Sequence, residues 1–172
     1  MIRFSTVLLA VVFAPLLFAG EDADFDYAAA TSRFTADEAR LKAEFKKCVE
    51  KIDKPSEEIV VPVESHPDGS VKVDVYAGKA QFFDKDAVVW CGDVVVREYE
   101  LDGTVKLELK ADACVVDRKT KTGWINGFAS GRYGKTKIKG NGIYFSFPDE
   151  FVKISSKVEI ESTDLKFEGV EL

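Results

Sequence analysis

Only one histidine, His66, and three cysteines, Cys48, Cys91 and Cys114, occur among the 172 residues. A lone histidine excludes a two-histidine zinc protease motif, and without a Gly-x-Ser-x-Gly elbow there is no Ser-His-Asp arrangement. No Cys-x-x-Cys spacing exists, which removes the common zinc sites. Positive charge is also short: 24 Lys and Arg face 30 Asp and Glu, for a net charge of −6. Nucleic-acid binding needs clustered cations and is not expected. Lys135, Lys137 and Lys139 alternate with Thr136 and Ile138, which reads as the solvent side of a strand.

The remaining candidates for chemistry are weak. Ala129-Ser130-Gly131-Arg132-Tyr133-Gly134-Lys135-Thr136 is a relaxed phosphate-loop match, yet Lys137 to Gly142 is too glycine-rich to open the helix such a loop requires. Cys48 and His66 would have to join a helix to a distant turn to form a nucleophile pair. Asp149, Glu150, Glu159 and Glu161 supply carboxylates without singling out a glycosidase pair. A non-enzymatic protein with no metal and no cofactor is expected.

The length suits one domain with a real core. Met1-Ile2-Arg3, an apolar run from Val7 to Ala19 and the acidic Glu21-Asp22 form a secretory signal pattern over residues 1–20. Ala19 and Gly20 suit cleavage, whereas Leu17 and Phe18 fit the small-residue position poorly. The run is short for a membrane span and carries Pro15, so a cleaved signal and an N-terminal anchor both stand.

Residues 21–54 read as a mobile polar segment followed by a helix. Thr35-Ala36-Asp37-Glu38 is a capping box, and Leu41, Phe45, Val49 and Ile52 recur at helical spacing before Pro55. Cys48 sits beside that stripe as a semi-buried thiol.

From residue 55 to 172 the pattern is β. Asp102-Gly103 is a two-residue hairpin signal, and folding about it pairs Val96 with Leu109, Val94 with Ala111 and Arg97 with Glu108. The same register puts Cys91 opposite Cys114, a candidate disulfide worth about 3 kcal/mol. Asp93 would then face Asp112, which predicts a bulge near Gly92 that breaks the pairing. Near the chain end, a turn at Thr163-Asp164 would pair Ile160 with Phe167.

The same region contains one pattern twice. Gly78-Lys79-Ala80-Gln81-Phe82-Phe83, Val88-Val89-Trp90 and Val94-Val95-Val96 reappear as Gly140-Asn141-Gly142-Ile143-Tyr144-Phe145, Val152-Lys153-Ile154 and Val158-Glu159-Ile160. The duplication predicts stacked strand-turn-strand units with one apolar face inward in both copies. Val94, Val96, Leu107, Leu109, Val152, Ile154, Val158 and Ile160 form that face, and it is either a closed core or the wall of an apolar groove. The glycines between the copies suit a sharply curved sheet.

These phrases, with Val75-Tyr76-Ala77 before the first copy and Leu109-Lys110-Ala111-Asp112 closing the hairpin, resemble the OstA-like lipopolysaccharide-transport periplasmic family (LptA/LptC type). The resemblance covers roughly residues 59 to 172. It implies an all-β twisted jelly roll, here with one added N-terminal helix, open along a seam that shelters acyl chains of lipopolysaccharide or a similar glycolipid. It further implies a periplasmic location, soluble or anchored to the inner membrane, and joining to other jelly-roll transport components by edge-strand pairing. The alternative is an exported β-sandwich serving as a structural or protein-interaction module of the envelope.

Overall fold

The computed structural model describes residues 9–12, 27–149 and 151–161, with side chains over 32–149 and 151–161. The elements are β1 (Leu9–Val12), α1 (Tyr27–Lys51), β2 (Ser56–Ser65), β3 (Val71–Phe83), β4 (Val88–Tyr99), β5 (Val105–Asp117), β6 (Thr122–Tyr133), β7 (Thr136–Ser146) and β8 (Phe151–Glu161). All the strands join one open antiparallel sheet in the order β1-β8-β7-β6-β5-β4-β3-β2. From β2 to β8 the order is that of the chain, so each connection is a hairpin. The protein is thus mostly β, with one helix. β1 lies inside the apolar run that reads as a signal, and pairs Leu9 with Ile154 and Val12 with Phe151.

The expected β4–β5 register holds. Val96 pairs with Leu109, Val94 with Ala111 and Cys91 with Cys114. The loop is wider than two residues, with Glu100 N–H bonded to Thr104 O at 2.8 Å, and an irregularity between Glu98 and Tyr99 absorbs the difference. The ladder skips Asp93 and Asp112, as expected, with Asp93 in left-handed backbone, but it resumes in the same register at Gly92 and Ala113. Both strands change face together there: Val94 and Cys91 are buried on the same side, as are Leu109 and Cys114.

That change of face belongs to a line crossing the whole sheet. Glu58 (φ 52), Asp93 (φ 52), Gly127 (φ 87), Gly142 (φ 67) and Lys157 (φ 53) all hold left-handed backbone. Each ladder from β2 to β6 skips a step there: Glu58 and Gly78 fall between paired neighbours, as do Gly78 and Asp93, Asp93 and Asp112, and Asp112 with Gly127 and Phe128. Left-handed residues within strands bend them, and bending β2, β4, β6, β7 and β8 along one line creases the sheet. Above the crease lie the strand ends at Ser65, Val71, Tyr99, Val105, Tyr133 and Glu161. Below it lie those at Phe83, Val88, Asp117, Thr122, Ser146 and Phe151.

The upper half folds over the lower. Val73, Val75, Val96 and Leu109 above, and Val89, Cys91, Ile125 and Ile143 below, are almost completely buried in one cluster, and the helix does not lie on that face. Among the described residues, only the other half of the sheet can cover them. Contacts across the open side agree: Glu64 at the upper end of β2 meets Lys121 in the lower β5–β6 turn at 3.0 Å. Upper meets lower with an offset of about three strands, which the twist of a sheet produces. Each fully buried Val or Leu contributes roughly 1.5–3 kcal/mol, offset by the entropy of ordering the chain.

Helix α1 covers the outside of the lower half. It starts at Tyr27 rather than at the capping box, so Thr35 and Glu38 lie within it. Tertiary contacts explain the extension. Phe34 stacks on Phe151 with centroids 4.0 Å apart, and Arg33 reaches Asp149 at 2.6 Å. The inward stripe is Phe34, Glu38, Leu41 and Cys48, with Phe45 half-buried beside it, while Val49 is 47% exposed. Gln81 of β3 caps the far end, accepting from Asp53 N–H at 3.1 Å and donating to Lys51 O at 3.3 Å. The layers are therefore helix, lower half and upper half.

Candidate functional site

The interior between the two halves is built by residues the sequence singled out. Val94, Val96, Leu107, Leu109, Val152, Ile154 and Val158 are buried within it, and Ile160 packs against its rim half-buried. β4 and β5 supply the upper wall, β8 supplies both walls, and the crease separates Ile154 from Val158. Ala77, Ala80, Ala129 and Gly140 narrow the space by carrying little or no side chain. A Cβ on Gly140 would stand 2.2 Å from Ile154 Cγ2, so the neighbouring strand already fills that place.

The two copies do not present the same positions throughout. Val158 and Ile160 match Val94 and Val96 above the crease. Below it, Val152 and Ile154 face inward, whereas their counterparts Val88 and Trp90 face the helix. An irregularity in β8 near Lys157 adds one residue and shifts the phase.

The halves meet at a mouth. Glu98, Lys106, Leu107 and Tyr133 above and Phe145, Phe147, Phe151 and Val152 below line a cavity of about 20 Å³ there. That is room for about one water molecule and far too little for an acyl chain, so the interior is shut in this conformation.

Cys91 and Cys114 face each other inside the cleft. Both are free thiols, so the candidate disulfide is not formed in this structure. A hydrogen bond with Cys91, then burial, push the Cys114 thiol well above its ordinary range. Cys48 lies in the other core, under the helix, and burial followed by the nearby Glu44 pushes it up to about 11.

The polar residues singled out from the sequence sit outside the cleft. His66 Nε2 lies 3.1 Å from Tyr99 O in the β2–β3 turn. The relaxed phosphate-loop stretch is the end of β6, a turn at Gly134 and the start of β7, with no helix after it. Lys137 pairs with Glu161 at 3.3 Å and Lys139 with Glu159 at 3.6 Å on the outer face of the upper half. Asp149 pairs with Arg33 and takes a hydrogen bond from Ser146 Oγ, while Glu150 lies outside the described residues. Asp74 is the perturbed carboxyl of that outer face. Burial raises it, against the lowering by the Tyr99 hydroxyl at 3.1 Å and by Arg97. Among the described residues no three His, Cys, Asp or Glu side chains are grouped to hold a metal, and no helix is long and apolar enough to cross a membrane.

Sequence reasoning missed the face of the sheet that holds the helix. Glu38, on the buried stripe, pairs with Lys153 of β8 at 2.6 Å and Lys42 at 2.5 Å, and receives Ser155 Oγ at 3.3 Å. Tyr144 donates its hydroxyl to Asp37 at 3.0 Å. Lys153, a single charge between Val152 and Ile154, is the signal that could have found it. The expected Thr163-Asp164 turn, its second strand and the chain end at Phe167–Leu172 lie outside the described residues.

No protein-family model matches this chain, and no curated protein matches it.

Proposed function

We propose that this chain is an exported, non-enzymatic lipid-handling protein of the cell envelope, which carries acyl chains of lipopolysaccharide or a similar glycolipid between the halves of its creased sheet. On this reading the fold is the open-seamed jelly roll of the OstA-like family, working in the periplasm. The observation that carries it is the continuous apolar interior between two halves joined along one crease. Such an interior becomes a long apolar slot when the halves part, with no strand ladder broken. The acyl chains would then cover the apolar side chains that parting exposes, which offsets the loss of packing between the halves. Other transport components would add at a sheet edge by strand pairing.

A photo-crosslinking residue at Leu107 or Ile154 tests this in cells. Recovery of a glycolipid adduct is expected; adducts with protein alone, or none, reject the reading. The tightly filled mouth favours the second reading, a closed envelope module that uses its outer faces. It predicts no lipid adduct at either position and capture of a protein at Phe128, whose ring is 53% exposed beside a surface concavity formed with Val95, Lys110 and Ser130.

A further inference from the structure

The interior would open only if something let the mouth part, and one described ion pair spans it. Phe147 N–H donates to Lys121 O at 3.2 Å, which ties the β5–β6 turn to the β7–β8 turn, both on the lower half. Lys121 then reaches across the mouth. Its ammonium meets Glu64 Oε1 at 3.0 Å on the upper end of β2, fifty-seven residues away. Glu64 Oε2 is buried with no hydrogen-bond partner and lies 3.6 Å from Lys72 Nζ, on its own half.

We infer that Glu64–Lys121 is a latch that holds the mouth of the cleft shut and sets how readily the interior admits its ligand. The claim rests on the lipid reading for what enters, but not for the latch itself. The chemistry suits a latch. The Lys121 side chain is 38% exposed, so water competes for the pair and it breaks easily, unlike the apolar packing behind it. Glu64 is held nearly buried between two lysines and β2 is an edge strand, so the strand carrying it is supported on one side only. When the pair separates, the end of β2 with Val61 and Val63 can lift from the lower half.

The protein reports on this with its own thiols. Cys91 and Cys114 line the cleft, and Cys48 lies under the helix on the other side of the lower sheet. Alkylation of each thiol in the reduced, folded protein, followed by peptide mapping, therefore separates opening of the cleft from general loosening. Lys121→Glu sets two carboxylates against each other. It is expected to speed modification of Cys91 and Cys114 about three- to tenfold and to leave Cys48 unchanged. Lys121→Arg keeps the pair and should match the wild type. No change in Lys121→Glu, or equal acceleration of all three thiols, overturns the latch. Uptake of purified lipopolysaccharide by the same variants tests the other half. Thiols that open without faster uptake reject the lipid reading and leave the latch standing. Faster uptake with thiols still protected rejects the latch alone.

Discussion

Asp93 and Lys157 hold the same left-handed backbone, φ 52 and φ 53, at matching places in the two copies of the repeated pattern. Neither is glycine, so each costs conformational energy that the crease requires. Asp93 also closes over Gly78, where a Cβ would stand 2.9 Å from its own, so its side chain is part of the bend. Lys157 is exposed and makes the cleaner test. Lys157→Gly should stabilise the fold by about 0.5–1 kcal/mol, and Lys157→Val should destabilise it by about 1–2 kcal/mol. Urea unfolding midpoints measure both, and opposite signs are the expected result.

A second prediction separates glycines by what surrounds them. At Gly131 an added Cβ would lie 1.9 Å from the backbone oxygen of Glu108. Backbone in a paired strand cannot swing aside, so Gly131→Ala should cost about 3 kcal/mol or more and loosen the β5–β6 ladder. At Gly140 the obstacle is a methyl of Ile154, which can turn, and the cost of Gly140→Ala should stay near 1–3 kcal/mol. Equal losses would show that the two strands yield alike.

Much of this architecture is legible in the residues, and the failures share one cause. The Asp102-Gly103 turn and the alternation of Val94, Val96, Leu107 and Leu109 specify the central hairpin, because the upper half is polar outside and apolar inside. Below the crease both faces are covered, by the helix and by the upper half. Val88-Val89-Trp90-Cys91 and Val115-Val116 are therefore apolar without alternation, and such runs do not reveal which residue points where. The one-residue offset between Val88 and Val152 stays hidden for that reason. The helix start is illegible because the capping box is a local signal, whereas Phe34 and Glu38 are bound by strands more than a hundred residues away. The latch too rests on a contact that only the folding-over of the sheet creates.

The thiols give a third prediction. With the reduced protein folded, Cys91 and Cys114 should resist alkylation near pH 8 by about a hundredfold or more relative to the urea-unfolded chain. Burial hides both of them, and the hydrogen bond between them and burial keep the Cys114 thiol protonated. Time-resolved mass spectrometry of the alkylated peptides measures this directly. Rapid labelling of both under native conditions would mean that the cleft stands open in solution.

The buried pair of Glu38 and Lys153 ties the helix to the sheet, and its pH dependence can be worked out. Burial by itself raises the Glu38 carboxyl, but hydrogen bonds and charge from Lys153 and Lys42 outweigh this and hold it below the usual range. A carboxyl depressed in the folded state adds stability above its unfolded value, about 4.3, and that stability is lost as pH falls through the folded value. Acid should therefore weaken helix docking below about pH 4. Glu38→Gln leaves the Lys153 ammonium, 9% exposed, without its nearest counter-charge, and should cost about 3–5 kcal/mol at neutral pH. Replacing both partners, as Glu38→Leu with Lys153→Met, removes the charges together. The double variant should come within about 1 kcal/mol of the wild type or exceed it, and should lose less stability in acid. Urea midpoints at about pH 7 and at steps of falling pH below about 4.3 decide the matter: an unchanged acid response in the double variant would place the titrating group elsewhere.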